Sequence, residues 1–91
     1  MSYRIVETQR YKKRLVKFLR QHPDLTDRYA KTIRLLAQNP SHPSLRLHKL
    51  QGQLAEYHSV SITIGCRMVM ELLIENEKII PIDIGSHEDV Y

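Results

Sequence analysis

The hydrophobic period of this chain changes once, near Pro43, and that change restricts the fold more than any other feature of the sequence. Up to Gln38 the apolar residues recur at helical spacing; beyond Pro43 they recur at every second residue. Tyr11, Leu15, Phe18 and Leu19 fall at i, i+4, i+7 and i+8, a single buried stripe, while Lys12, Lys13, Lys17 and Arg20 take the remaining positions. Thr8 stands where a helix cap is needed, so the spacing predicts a helix from about Gln9 to Gln21, broken by His22-Pro23. Asp24, with Asp27 three residues on, is placed to start a second helix that carries Leu25, Tyr29, Ile33 and Leu36 inward. Asn39-Pro40 ends it. So short a connection predicts an antiparallel helical hairpin. Ahead of it, Tyr3 to Glu7 suits a first strand.

The second half reads as strands. Leu45 to Leu50 alternates Leu45 and Leu47 with Arg46 and His48, and a glycine turn at Gln51-Gly52-Gln53 follows. Glu56 to Ile64 puts His58, Val60, Ile62 and Ile64 on one face and Tyr57, Ser59, Ser61 and Thr63 on the other. Cys66 to Ile74 is apolar apart from Arg67 and Glu71. Glu75-Asn76-Glu77 turns the chain into a last strand, Lys78 to Ile84. Pro81 donates no ladder hydrogen bond and belongs at an edge, a bulge or a strand end. The expected fold is α+β, in the order β-α-α-β-β-β: a helical hairpin on one face of a small, mostly antiparallel sheet, with the other face free for a ligand.

The 91 residues make one expected domain, 1–91, with no repeat or linker. Met1-Ser2-Tyr3-Arg4 runs into a charged stretch unlike a signal peptide, and no apolar run nears the roughly 20 residues of a membrane helix. The expectation is a soluble, cytoplasmic protein without a membrane role. The single cysteine, Cys66, excludes an internal disulfide. Charge is distributed unevenly: residues 1–49 hold twelve Lys and Arg against three acids, a local +9, and residues 50–91 hold two against seven, a local −5. Such asymmetry suits either a polyanionic partner or a solvated basic helix surface.

Several chemistries find no support. Five histidines show no metal-ligand spacing and Cys66 has no CxxC partner, so neither metal nor cofactor is expected. Cys66 heads a strand whose alternate residues Met68, Met70 and Leu72 read as core, where thiols are inert. The three glycines are scattered and form no phosphate loop. Basic and proton-transferring residues remain. Arg46 and His48 share a face in a regular strand. Arg67, alone in an apolar strand, either pairs with Glu56, Glu71 or Asp83 or faces a ligand. His87 and Tyr91, four apart, lie on one side of any helical turn formed there, or else on a plain surface end. Metal-free RNA cleavage needs these residue types. Histidine moves protons near neutral pH, arginine offsets charge on the phosphorane, and a tyrosine ring stacks on a base.

At these residues the chain resembles the RelE/ParE superfamily, the toxins of bacterial type II toxin–antitoxin modules. The resemblance spans essentially the whole chain: the two helices, Leu47-His48-Lys49-Leu50-x-Gly52, the Tyr57 strand, Cys66-Arg67-Met68-Val69, and above all the close Ile84-Gly85-Ser86-His87-Glu88-Asp89-Val90-Tyr91. That close is similar to the Ile-Gly-x-His-x-x-Val-Tyr/Phe ending of RelE-, YoeB- and YafQ-like members. Ser61 and Gly65 stand where YafQ-like members carry a second histidine and an aspartate.

The resemblance implies a RelE-like fold and cleavage of mRNA in the ribosomal A site, with neutralisation by a cognate antitoxin. It matches Arg67 to the arginine at the scissile phosphate, His87 to the C-terminal proton donor and Tyr91 to the terminal aromatic. Arg46, His48 and Lys49 fall in the strand bearing basic or histidine site residues. His48 is the first candidate for general base and Glu56 the second. Lys12, Lys13, Lys17 and Arg20 are expected to engage ribosomal RNA. Two other readings stand beside this one: a gyrase-inhibiting toxin of the ParE branch, and a non-catalytic module that binds an antitoxin or RNA.

Overall fold

Thr8 caps the first helix as its position predicts. Its Oγ1 accepts a hydrogen bond from the Tyr11 N–H at 3.2 Å, satisfying one of the donors a helix start leaves open. The computed structural model describes residues 2–86 and places helix α1 at Gln9–Gln21. A tight turn at Pro23–Leu25 leads straight into α2, Thr26–Gln38. This corrects one expectation. Asp24 does not cap α2; the cap position is Leu25, with no side-chain hydrogen bond. Pro23, with its fixed φ, starts a 3-10 turn that already reverses the chain, and Thr26 Oγ1 donates to the Pro23 carbonyl at 3.0 Å.

The strands are β1 (Arg4–Ile5), β2 (His48–Lys49), β3 (His58–Ser61), β4 (Cys66–Leu73) and β5 (Lys78–Ser86), joined in one sheet of order β1-β5-β4-β3-β2. Three pairings are antiparallel and β1 runs parallel to β5, so the α+β, mostly antiparallel architecture holds, with four strands after the helices where the expected order had three. Both helices pack their apolar stripes on one sheet face. Tyr11, Phe18 and Leu36 from the helices meet Val60, Met68 and Met70 from the strands. Among the described residues no helix is long and apolar enough to cross a membrane.

Inside this core lies a chain of hydroxyls. Tyr11 Oη and Tyr29 Oη are 2.8 Å apart, and Tyr29 Oη donates to Glu7 Oε2 at 3.3 Å. Each phenol has one proton and the carboxylate only accepts, so Tyr11 donates to Tyr29, with Met68 Sδ 3.3 Å from the Tyr11 oxygen. Burial raises the pKa of both phenols, Tyr11 the more strongly, and they stay protonated. The chain ties α1 to α2 and to the entry of α1.

Pro81 sits at a bulge. The β4–β5 register runs Met68↔Ile84, Val69↔Asp83 and then Met70↔Pro81, which leaves Ile82 as the extra residue. The missing N–H therefore falls where the ladder is already irregular. The second correction concerns the segment expected as a strand from Leu45 to Leu50. Only His48–Lys49 pairs. Pro43–Leu45 is a 3-10 turn and Arg46 follows in the left-handed region, φ 49° and ψ 48°. A residue there breaks the two-residue alternation, so Arg46 and His48 do not share a face by strand geometry. The first and third expected strands, Tyr3–Glu7 and Glu56–Ile64, are likewise shorter than their patterns.

Replacing Tyr11 by Phe leaves the Tyr29 oxygen without its donor and is expected to lower stability by about 1–2 kcal/mol. Thr8→Ala costs about 1 kcal/mol through the lost cap, with Thr8→Ser neutral. Urea unfolding followed by circular dichroism measures both.

Candidate active site

Strand register decides which side chains reach the sheet face away from the helices. On β4 the even residues Cys66, Met68 and Met70 are buried against the helices, so Arg67, Val69 and Glu71 point the other way. Through the pairings this face carries two rows: His48, Ser59, Val69 and Asp83, and beside it Ser61, Arg67 and Gly85. His48 and Arg67, singled out separately in the sequence, thus share the face away from the helices. They lie two strands and one side-chain repeat apart, about 12 Å between Cα atoms.

Arg67 is half-buried, and its Nη1 donates to Ser59 Oγ at 3.4 Å across the row gap. Ser59 is fully buried beneath it. Gly85 faces Arg67 in register and contributes no side chain. The acids considered as partners do not pair with it. Asp83 Oδ2 holds Arg14 Nη1 at 2.9 Å and its Oδ1 accepts the Ile84 N–H at 2.8 Å. Among the described residues no carboxylate is within ion-pair distance of Arg67, which leaves its guanidinium charge available on this face. Glu56, the second candidate base, is in an exposed turn ahead of β3, outside the sheet.

His48 is exposed on the edge strand, its Nδ1 3.3 Å from the Arg46 carbonyl, which leaves Nε2 to face outward. Beside it on the same face, Leu50, Leu54, Tyr57 and Val69 form a small apolar cluster. Tyr57 also borders a depression lined by Arg10, Arg14, Ile82 and Asp83. A cation, an exposed imidazole and an aromatic patch on one open face suit a phosphodiester with an unstacked base.

The remaining sequence candidates separate. Lys12, Lys13, Lys17 and Arg20 are all exposed along α1. Lys49, exposed and opposite His58 in register, belongs to the helix-side face. Arg46 turns toward α2, where it lines a cavity with Arg28. His87 and Tyr91 lie outside the described residues. Among the described residues no three His, Cys, Asp or Glu come together as metal ligands, and Cys66 is buried.

Two residues were not singled out from sequence. Ser59 gives no chemical signal as a lone strand serine; only the register puts it under Arg67. His58, on the same face as Val60 and Ile62, has its Nδ1 buried with no hydrogen-bond partner among the described residues. Burial, then the Lys49 and His48 charges, pushes its pKa below the ordinary 6.5, so it stays neutral near neutral pH.

Neither a protein-family model nor a curated protein sequence matches the chain. Solved structures do. The fold is that of the RelE/YoeB-like toxins of toxin–antitoxin modules. YafQ from E. coli superposes with a TM-score of 0.80 at 15% identity over 98% of both chains. A metal-bound toxin from Helicobacter pylori gives 0.77 at 20% over the full length of both, and a YoeB/ParE toxin from Agrobacterium tumefaciens gives 0.73 at 20% over 92% and 98%. The DinJ–YafQ toxin–antitoxin complex of E. coli is also similar, with a TM-score of 0.79 at 17% identity over 100% and 99%.

The His58 pKa is depressed in the folded chain, so the unfolded chain binds the extra proton first on acidification. Stability is full above pH 6.5, falls as the pH drops below it, and levels off beneath the folded-state value. Urea midpoints measured from pH 8 to pH 5 are expected to decline below 6.5, and His58→Gln is expected to flatten that part of the profile.

Proposed function

We propose that the protein is the toxin of a type II toxin–antitoxin module and cleaves mRNA on the ribosome without a metal. The observation that carries this reading is the register that brings His48 and Arg67, which has no carboxylate partner among the described residues, onto the sheet face away from the helices. The likeness in fold to YafQ and to the DinJ–YafQ complex supports it and supports an antitoxin partner.

In this mechanism the His48 imidazole removes the proton from a 2′-hydroxyl, and the freed oxygen attacks the adjacent phosphorus. The Arg67 guanidinium offsets the charge that builds on the phosphorane oxygens. The bond to the 5′-oxygen breaks and His87 gives that oxygen its proton. Tyr91 stacks on a flanking base. The products are a 2′,3′-cyclic phosphate and a 5′-hydroxyl, and no external reagent is consumed. The cations of α1 (Lys12, Lys13, Lys17 and Arg20) and Lys49 engage ribosomal RNA, so association weakens as salt rises.

Primer extension on one reporter message after brief induction tests the reading, comparing a translated version with one whose start codon is mutated. In-frame cuts are expected in the translated message alone. His48→Gln and His87→Ala should each lower cleavage by about 10²–10⁴-fold and Arg67→Gln by about 10²–10³-fold, with unfolding midpoints kept as the control for folding. Cuts in both messages would make the protein a free ribonuclease. Growth arrest without cuts would move it to the gyrase-inhibiting branch, and neither effect would leave a non-catalytic binding module.

A further inference from the structure

The misread segment after Pro43 builds something the sequence pattern hid. Arg46, exposed and with positive φ, occupies a conformation that glycine or asparagine adopts at lower cost. Its side chain lines a cavity of about 400 Å³ together with Arg28, Ser44, Ser61, Thr63 and Ile64. A smaller adjoining cavity shares Arg28, Ser44 and Ser61 and adds Lys31. Among the described residues three cations line the pair of cavities and no carboxylate does.

Arg28 is oriented rather than loose. Its Nε donates to the Ile62 carbonyl at 3.0 Å, which fixes the plane of the guanidinium and leaves its two terminal nitrogens to present a fork. Ser44 is held by His42, whose Nδ1 lies 2.8 Å from its Oγ and accepts its N–H at 3.2 Å. Ser61 is the hinge between this place and the open face. It pairs with Arg67 in register, and β2 pairs only with His58 and Ser59, so the edge of β3 at Ser61 is not covered by β2.

From these positions we infer that Arg28 and Arg46 form a second phosphate-binding subsite, which grips the backbone of the same single-stranded RNA beyond the phosphate at Arg67. The inference rests on the RNA-cleaving reading above. A strand leaving Arg67 crosses the uncovered β3 edge at Ser61 and sets a flanking phosphate between the two guanidinium groups. Thr63 offers a hydroxyl at the same rim, and Ile64, 92% exposed, offers an apolar surface for a base or sugar. The positive backbone angle at Arg46 is then the cost of aiming its side chain at the strand.

The test is an amide-shift titration of the full chain with three probes: a single-stranded DNA hexamer, which has no 2′-hydroxyl to be attacked, inorganic pyrophosphate, and a glutamate hexapeptide. The hexamer and pyrophosphate are expected to shift the amides of Arg46 and of residues 61–64. The double variant Arg28→Gln/Arg46→Asn should weaken hexamer binding at least tenfold and reduce the slope of log K against log salt by about 0.7, one phosphate contact on a single strand. Asparagine tolerates the left-handed conformation, so Arg46→Asn alone should keep or raise the melting temperature while weakening binding, the opposite of a structural role. Hexamer shifts confined to Arg67 and its neighbours, unchanged in the double variant, would overturn the subsite and leave the cleavage reading standing. Binding of the glutamate peptide alone would overturn it in favour of an acidic protein segment. Hexamer binding at Arg28 and Arg46 together with no cuts in the reporter assay would uphold the subsite and remove the cleavage reading.

Discussion

Strand β4 is paired along both edges, eight residues against β5 on one side and four against β3 on the other. That double pairing is the constraint on which everything else hangs. Sliding β4 by one residue would carry Met68 and Met70, both fully buried, into water and drive Arg67 and Glu71 into the helices. Each large apolar side chain so exposed forfeits about 1.5–3 kcal/mol, and a guanidinium buried without a partner costs several more. The register is therefore locked by the core. Because it is locked, Arg67 is delivered to the open face by the packing of residues that have no chemistry of their own.

The bulge at Ile82 makes the opposite adjustment on the neighbouring strand. Along β5, Ile79 and Pro81 are buried in step with Met70 and Leu72 of β4, and past the extra residue Ile84 is buried in step with Met68. The irregularity sits beside Asp83, whose carboxylate reaches Arg14 on α1. That ion pair fastens α1 to the strand and at the same time occupies the one acid in the same row as His48. Half-exposed ion pairs contribute little stability, on the order of 0–1 kcal/mol. Its larger consequence is electrostatic: an acid engaged by Arg14 offsets Arg67 less.

How much of this was legible in the sequence follows from which signals are local. The limits of α1 were, because a cap, a breaking His22-Pro23 and a 3.6-residue stripe coincide within fifteen residues. Pro81 announced an irregularity because its missing N–H is a property of one residue. The start of α2 was misassigned because two mechanisms compete at Pro23-Asp24, a side-chain cap and a 3-10 turn, and the proline favours the turn. Leu45-Arg46-Leu47-His48 misled because alternation records only which side chains are apolar. It is blind to backbone sign, and a left-handed residue in the middle keeps the pattern while reversing the geometry. At the site, Arg67 and His48 were found by residue type, but their common face depends on two successive strand pairings, β2 with β3 and β3 with β4, that no local pattern records. Ser59 and Arg28 depend on such contacts entirely.

The uneven charge of the chain takes on meaning once the sheet is built. Apart from Asp83, which Arg14 holds, three acids of the second half stand away from the cations of the first. Glu71, Glu75 and Glu77 gather toward the β4–β5 turn, whereas Arg67 begins β4 and Arg28 and Arg46 lie beside the β3–β4 turn. At about 3.4 Å per residue, Glu71 stands roughly 14 Å from Arg67 along the strand and Glu75 roughly 27 Å. The screening length at physiological salt is about 8 Å, so these acids neutralise little of the potential at the other end. Among the described residues, Arg67, Arg28 and Arg46 thus lie at the end of the sheet away from these three acids. A polyanion approaching from solution is turned toward that end before any specific contact forms, and an acidic partner would be drawn to the same end. One field acts alike on a polyanion and on an acidic protein, so a protein that masks this surface has no need to resemble RNA in shape; it needs only to be negative and to arrive first.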